Sequence, residues 1–216
     1  MRVFQIGAAG GVGVPLTRRL SQRGDEATGM HRAPDQAERI AAAGGTPILG
    51  DLIADSVEAL ADKMSGHDAV VFSAGAHGTG ADQTTLIDGE GLEKAADAAE
   101  RAGVRRFVLV SVFPDARRDQ APSEGFEHYM RVKKAADIHL ARTGLDWVIV
   151  RPGTLLDEPG DGLVNAGFAV GYGGIRRENV AALIDAVLHD PEVGRVIIEA
   201  TDGETPAAEA LRHFHR

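Results

Sequence analysis

A doubly wound parallel α/β sheet in a single domain is the fold this sequence predicts, and three observations predict it. Short apolar runs alternate with amphipathic segments almost without exception from residue 2 to residue 150. The first run, Arg2-Val3-Phe4-Gln5-Ile6, breaks directly into the turn Gly7-Ala8-Ala9-Gly10-Gly11-Val12-Gly13. That turn leads into Val14 to Leu20, which has helical spacing. Repeated strand–helix units of this length force parallel pairing with right-handed crossovers.

The elements follow in order. Pro15 is tolerated in the first helix because the opening turn has no N–H partner to lose. Glu26 to Met30 reads as strand two, and Asp35 to Ala43 as a helix stopped by Gly44-Gly45. Pro47-Ile48-Leu49 is a short third strand, Ser56 to Lys63 a short helix, and Ala69-Val70-Val71-Phe72 strand four. Asp82 to Ala102 is one long alanine-rich helix closed by Gly103. Strand five is Val104 to Ser111, a second long helix runs from Glu127 to Arg142 and ends at Gly144, and strand six is Leu145 to Val150. From Arg151-Pro152-Gly153 to Gly174 the chain is rich in Gly, Asp and Pro, and a substrate-side loop region with one short strand near Phe168 to Val170 is expected over residues 151–180. Asn179 to His189 returns to helix, Val196 to Glu199 is a last strand, and Thr205-Pro206 caps a closing helix whose tail, His213 to Arg216, frays.

Composition narrows the functions available. At 216 residues the chain fits one domain, and 44% hydrophobic with 25% charged residues is ordinary for a soluble globular protein. A net charge of −9 argues against a general nucleic-acid or anionic-membrane surface. Cysteine is absent, which excludes disulfides and thiolate catalysis and fits a reducing compartment. With the first strand at the N-terminus and no apolar run near membrane-spanning length, a cytoplasmic protein is expected, a monomer or homodimer acting on a small molecule. No carboxylate–histidine cluster has ligand spacing, so no metal is expected.

A strand, a glycine turn and a helix start make a cradle for a pyrophosphate. Glycines let the backbone approach the ligand, and the helix start offers free N–H groups and the positive end of its dipole. The glycines fall at 7, 10 and 13, with Gly11 extra and Ala9 where the dinucleotide fingerprint has its middle glycine. After strand two an NAD enzyme of this type places an acid for the ribose hydroxyls. This chain has Met30-His31-Arg32 instead, and Arg32 facing a 2′-phosphate favours NADP(H) over NAD(H). Asp51-Leu52 after strand three is placed to meet the adenine, although Asp51 also reads as a plain helix-start acid.

Tyr129 and Lys133 stand four apart on one helix and share a face. An ammonium beside a phenol favours phenolate, so the tyrosine pKa is expected to fall towards working pH. Ser111 ends strand five on the same edge of the sheet, where it can hydrogen-bond a substrate carbonyl.

These features together resemble an atypical short-chain dehydrogenase/reductase, NAD(P)-binding, of the NmrA-like and NAD-dependent epimerase/dehydratase-like kind. The resemblance is carried by the turn from Gly7 to Gly13, Asp51-Leu52, Ser73-Ala74-Gly75, Asp88-Gly89 with Gly91, Gly103 to Val108, Ser111, Tyr129 with Lys133, and Arg151-Pro152-Gly153. It implies a Rossmann-type sheet and cofactor contacts at the glycine turn and at Ser73, Ala74 and Gly75. It also implies that Lys133 holds the nicotinamide ribose and that Pro152 and Gly153 pass near the nicotinamide. Two departures stand out: a charged loop, 114–120, separates Ser111 from Tyr129, and the stretch after Arg151 is too short for the substrate domain of nucleotide-sugar enzymes. The expectation is an NADP(H)-dependent reductase of a small carbonyl or quinone-like compound. Its rival is an NmrA-like regulator that senses NADP(H) without chemistry.

Overall fold

Every apolar run expected before residue 150 becomes a strand in the computed structural model, which describes residues 1–76, 79–113, 116 and 123–216. The strands are β1 (Arg2–Ile6), β2 (Glu26–His31), β3 (Thr46–Leu49), β4 (Ala69–Phe72), β5 (Arg106–Val110) and β6 (Asp146–Pro152). They lie in the order β3-β2-β1-β4-β5-β6, all parallel. The order reverses between β1 and β4, which opens a crevice at their C-terminal ends.

Alternation along each strand builds the two faces. Val3 of β1, Val71 of β4, Val108 of β5 and Val148 of β6 point into one core, with Leu16, Leu20 and Ile184 from helices. Phe4, Phe72, Leu109 and Ile149 point into the other, with Leu60, Leu92, Ala96 and Leu140. Both faces are covered, as a parallel sheet requires. The covering helices are α1 (Gly13–Arg23), α2 (Pro34–Ala42), α3 (Val57–Met64), α4 (Ala81–Thr84) with α5 (Gly91–Ala102), α6 (Glu124–Arg142) and α7 (Arg177–His189).

The structure departs from expectation in several places. The long helix over 82–102 is not uniform: a π-helical turn, Thr85–Glu90, separates α4 from α5. Helix α6 begins three residues early because the Ser123 side chain caps it, accepting from Phe126 N at 3.2 Å. It ends on extended Thr143, not on a glycine cap. The stretch 151–176 holds three strands, β7 (Thr154–Leu156), β8 (Leu163–Gly167) and β9 (Gly174–Arg176), and Phe168 to Val170 is not one of them. Strand β10 (Val196–Asp202) pairs parallel with β6, and β8 lies antiparallel against it. β8 and β9 are short and glycine-bearing, so their pairing rests on partners far away in the chain. Thr205–Pro206 forms β11 beside β8, and only Ala207–Ala210, α8, is helical before a 3-10 turn. The tail is tied rather than frayed: Phe214 is buried, His215 lies 2.8 Å from Asp190, and Arg216 pairs with Asp146. Of the charged loop 114–120, all but Ala116 lies outside the described residues.

One side chain fixes the loop after β3. Lys94 Nζ, from α5, donates to the carbonyls of Leu52, Ile53 and Asp55 at 3.0, 2.9 and 2.8 Å. Lys94→Met keeps the stem and removes all three bonds. It should cost about 1–3 kcal/mol of stability, the usual penalty for stranding part-buried polar groups. Chemical denaturation measures this, and an unchanged midpoint would show that the loop holds itself.

Candidate active site

The crevice beside β1 is a cavity of about 430 Å³. Its walls include Gly7, Ala9, Gly10 and Gly11 from the turn, Ser73-Ala74-Gly75 after β4, Asp51-Leu52, and His31-Arg32 at the end of β2. The turn is built on close contacts. Gly7 has φ +92°, and a Cβ on it would sit 2.5 Å from Ala74 N. A Cβ on Gly13 would sit 2.3 Å from the Gly7 carbonyl oxygen. Val12 and Gly13 do not line the cavity; Val12 is buried in the core and Gly13 packs the helix onto the turn. Among the described residues the amides of Gly11, Val12 and Gly13 have no acceptor, so the turn presents free donors.

The adenosine end holds a residue missed in the sequence. Arg39, on α2, lines the cavity together with Arg32 and Gln36, and Gln36 accepts from Arg32 N at 3.0 Å. Among the described residues Arg39 pairs only with exposed Asp35, at 3.5 Å. Asp51 serves the loop as well as the wall: its Oδ1 accepts from Ile53 N at 2.8 Å.

A second cavity, of about 470 Å³, shares Ser73, Ala74 and Gly75 with the first. It brings Ser111, Tyr129 and Lys133 together, although a long loop separates the serine from the tyrosine in sequence. Pro152 and Gly153 border an adjoining pocket with Ser111, Tyr129 and Tyr172.

Two buried carboxylates, Asp88 in the wall of this cavity and Asp137 beneath it, were not foreseen as functional. Asp88, on the π turn, accepts from Ala76 N at 3.0 Å and lies 3.5 Å from Lys133 Nζ. Lys133 also donates to the Val110 carbonyl at 3.2 Å. Asp137 accepts from Ser111 Oγ at 2.6 Å, and its other oxygen from Arg151 Nε and Nη2 at 3.0 and 2.9 Å. Asp137 stands four residues beyond Lys133, so continuing the Tyr129–Lys133 spacing by one turn finds it.

These pairs change two expectations. The Lys133 charge is matched by Asp88, and the Tyr129 pKa is raised, not lowered: burial is the main cause, and the charges of Asp88 and Asp137 add to it. Ser111 spends its proton on an arginine-paired carboxylate, so it faces the cavity with lone pairs; donating to a substrate carbonyl means leaving Asp137.

Residues 7–191 match the family described as NAD(P)H-binding. The chain belongs to this NAD(P)H-binding family. Among its relatives, a Bacillus subtilis protein named as an uncharacterized sugar epimerase, YhfK, is 37% identical over 98% of this chain and 99% of its own. A Bacillus halodurans structure, provisionally named an NAD-dependent epimerase/dehydratase, superposes with a TM-score of 0.90 at 33% identity over 99% of both chains. The oxidoreductase ylbE of Lactococcus lactis gives 0.85 at 26% identity over 100% of this chain and 99% of that one. The first cavity, with its open glycine turn and free amides, fits the pyrophosphate of a dinucleotide such as this family binds. Among the described residues no cluster of metal-ligating side chains is present, and no helix is long and apolar enough to cross a membrane.

Two glycines should separate folding from binding. Gly13→Ala drives a Cβ into the Gly7 carbonyl, so the protein should lose several kcal/mol of stability or fail to fold. Gly10→Val meets only that same oxygen at 3.1 Å from the Cβ, so the fold should survive while dinucleotide affinity is lost. Thermal melting and cofactor fluorescence distinguish the two, and full binding by Gly10→Val would move the phosphates elsewhere.

Proposed function

We propose that this protein is an NADP(H)-dependent oxidoreductase that reduces a small carbonyl or quinone-like compound. The observation that carries the reading is the pair of cavities joined at Ser73, Ala74 and Gly75, one fitting a dinucleotide and the next lined by Tyr129, Ser111 and Lys133. When bound, the reduced nicotinamide supplies hydride. Lys133, held by Asp88 and the Val110 carbonyl, is placed to hold the nicotinamide ribose, with Pro152 and Gly153 bordering the same region. Tyr129 keeps its proton at neutral pH and donates it to the substrate oxygen. Ser111 orients the substrate as an acceptor.

Preference for NADP(H) rests on Arg32 and Arg39 at the adenosine end, with no carboxylate closing β2. Arg32→Ala and Arg39→Ala should each lower NADPH affinity roughly ten- to hundred-fold and leave NADH affinity unchanged, since a hydrogen bond to a charged group is worth about 1.5–3 kcal/mol. Calorimetry with both cofactors checks this. Equal affinities in the parent would end the preference.

A second reading, an NADP(H)-sensing regulator without chemistry, draws on one observation. Lys133 is neutralised by Asp88, and Tyr129 is held as phenol rather than tuned towards phenolate. Tyr129→Phe decides between the two. For the enzyme, cofactor affinity stays and turnover falls by about 10²–10⁴-fold, the usual worth of positioned acid–base catalysis. For the sensor, NADPH binds but no member of a panel of aldehydes, ketones, quinones and flavins is reduced by parent or variant.

A further inference from the structure

Arg177 opens α7 at the place where the glycine turn meets the substrate-side segment. Strands β7 and β9 run parallel with Leu156 opposite Arg176, so the next residues, Asp157 and Arg177, leave the ribbon side by side. Arg177 Nε donates to Asp157 Oδ1 at 2.7 Å. The same side chain lies across the cofactor turn: a Cβ on Gly11 would stand 2.6 Å from Arg177 Cδ and 3.0 Å from Nε. Gly11 thus makes room for the arginine. Arg177 also lines the second cavity, so it spans the junction of the two.

The charges nearby single it out. Lys133 is matched by Asp88, and Arg151 by Asp137, all of them deep in the floor. The Asp157 side chain is 88% exposed, and an ion pair with so wet a partner is weak and readily exchanged. An anion resting on the free amides of the turn lies within reach of a guanidinium that has little to lose by turning to it.

We propose that Arg177 clamps the pyrophosphate of the cofactor against the glycine turn, exchanging Asp157 for a phosphate oxygen. The clamp ties the β7–β9 ribbon to the dinucleotide, so that cofactor binding and the shape of the substrate mouth are coupled. It rests on dinucleotide binding alone, whichever phosphate the adenosine end carries.

Calorimetry on the full chain tests it with two probes, NADPH and adenosine 2′-monophosphate, which has the adenosine end without the pyrophosphate. Arg177→Ala should weaken NADPH about ten- to hundred-fold and leave the monophosphate within about twofold. Asp157→Asn, which frees the guanidinium, should tighten NADPH by roughly two- to fivefold. Should Arg177→Ala melt well below the parent, Arg177→Gln keeps the stem without the charge and carries the same expectation. Unchanged NADPH affinity in the arginine variants overturns the clamp, and so do equal losses with both probes, which would trace the effect to the fold. A parent binding NADH and NADPH equally would remove the NADP(H) preference and leave this test readable, because both dinucleotides carry the pyrophosphate.

Discussion

Between the end of β1 and the end of β4 the main chain comes so close that residue 7 has no room for a side chain. A Cβ there would lie 2.5 Å from Ala74 N and 2.7 Å from the Ser73 carbonyl carbon. The Gly7 carbonyl in turn receives Gly10 N at 2.9 Å and sits under Gly13. This approach is what closes the turn, starts α1 with its amides unspent and brings Ser73, Ala74 and Gly75 into both cavities. Widen it by one methyl and the phosphate cradle, the packing of α1 and the joint between the two sites are all disturbed together. The shape of the first cavity and the packing of α1 are therefore coupled through the same few backbone atoms.

The active-site floor depends on a different constraint. Asp88, Lys133 and Asp137 are each at most 4% exposed, and burying charge costs several kcal/mol per ion before pairing offsets it. A buried ion pair is consequently weak evidence for stability, and an apolar floor would serve the fold at least as well. What the pairs do supply is direction. Asp88 holds Lys133 from one side while the Val110 carbonyl holds it from another, and Arg151 pins Asp137 so that one oxygen faces Ser111. The π turn matters here, because it sets the phase at which Asp88 enters from its helix.

Up to residue 150 the fold was legible because most strands are local apolar runs joined by helices, and β2, Glu-Ala-Thr-Gly-Met-His, follows from its place after the first helix. The sheet beyond β6 was not, because β8 reads Leu-Val-Asn-Ala-Gly and is a strand by virtue of its antiparallel partners, β10 and β11. The site divides in the same way. Residues on local signals, such as the glycine turn, Arg32, Asp51 and the Tyr129–Lys133 pair, could be named from sequence, and they line the two cavities. Arg151 and Asp137 were not given roles, since their pairing with each other and with Ser111 joins separate elements; Arg39 was missed although it stands only seven residues beyond Arg32. The error over Tyr129 has the same origin: spacing shows the ammonium four residues away but neither the burial that chiefly raises the phenol nor the carboxylate, from another helix, that matches the ammonium.

That cancellation bears on which way the proposed reaction runs. A phenol whose pKa is pushed up by burial and by two carboxylates is fully protonated across neutral pH, so the acid form is always populated and the base form almost never is. Reduction of a carbonyl needs a proton donor at the developing alkoxide; oxidation of an alcohol needs a base at its hydroxyl. In the proposed reduction the floor therefore keeps the donor form populated while making it a weaker acid. Ser111 has its own proton held by Asp137, so in the proposed reaction it would accept from a donor on the substrate and leave the reacting oxygen to Tyr129. Asp137 accepts the Ser111 proton from below, while Asp88, which lines the cavity, acts on Tyr129 through its charge alone, so the two carboxylates bias the two hydroxyls by different means.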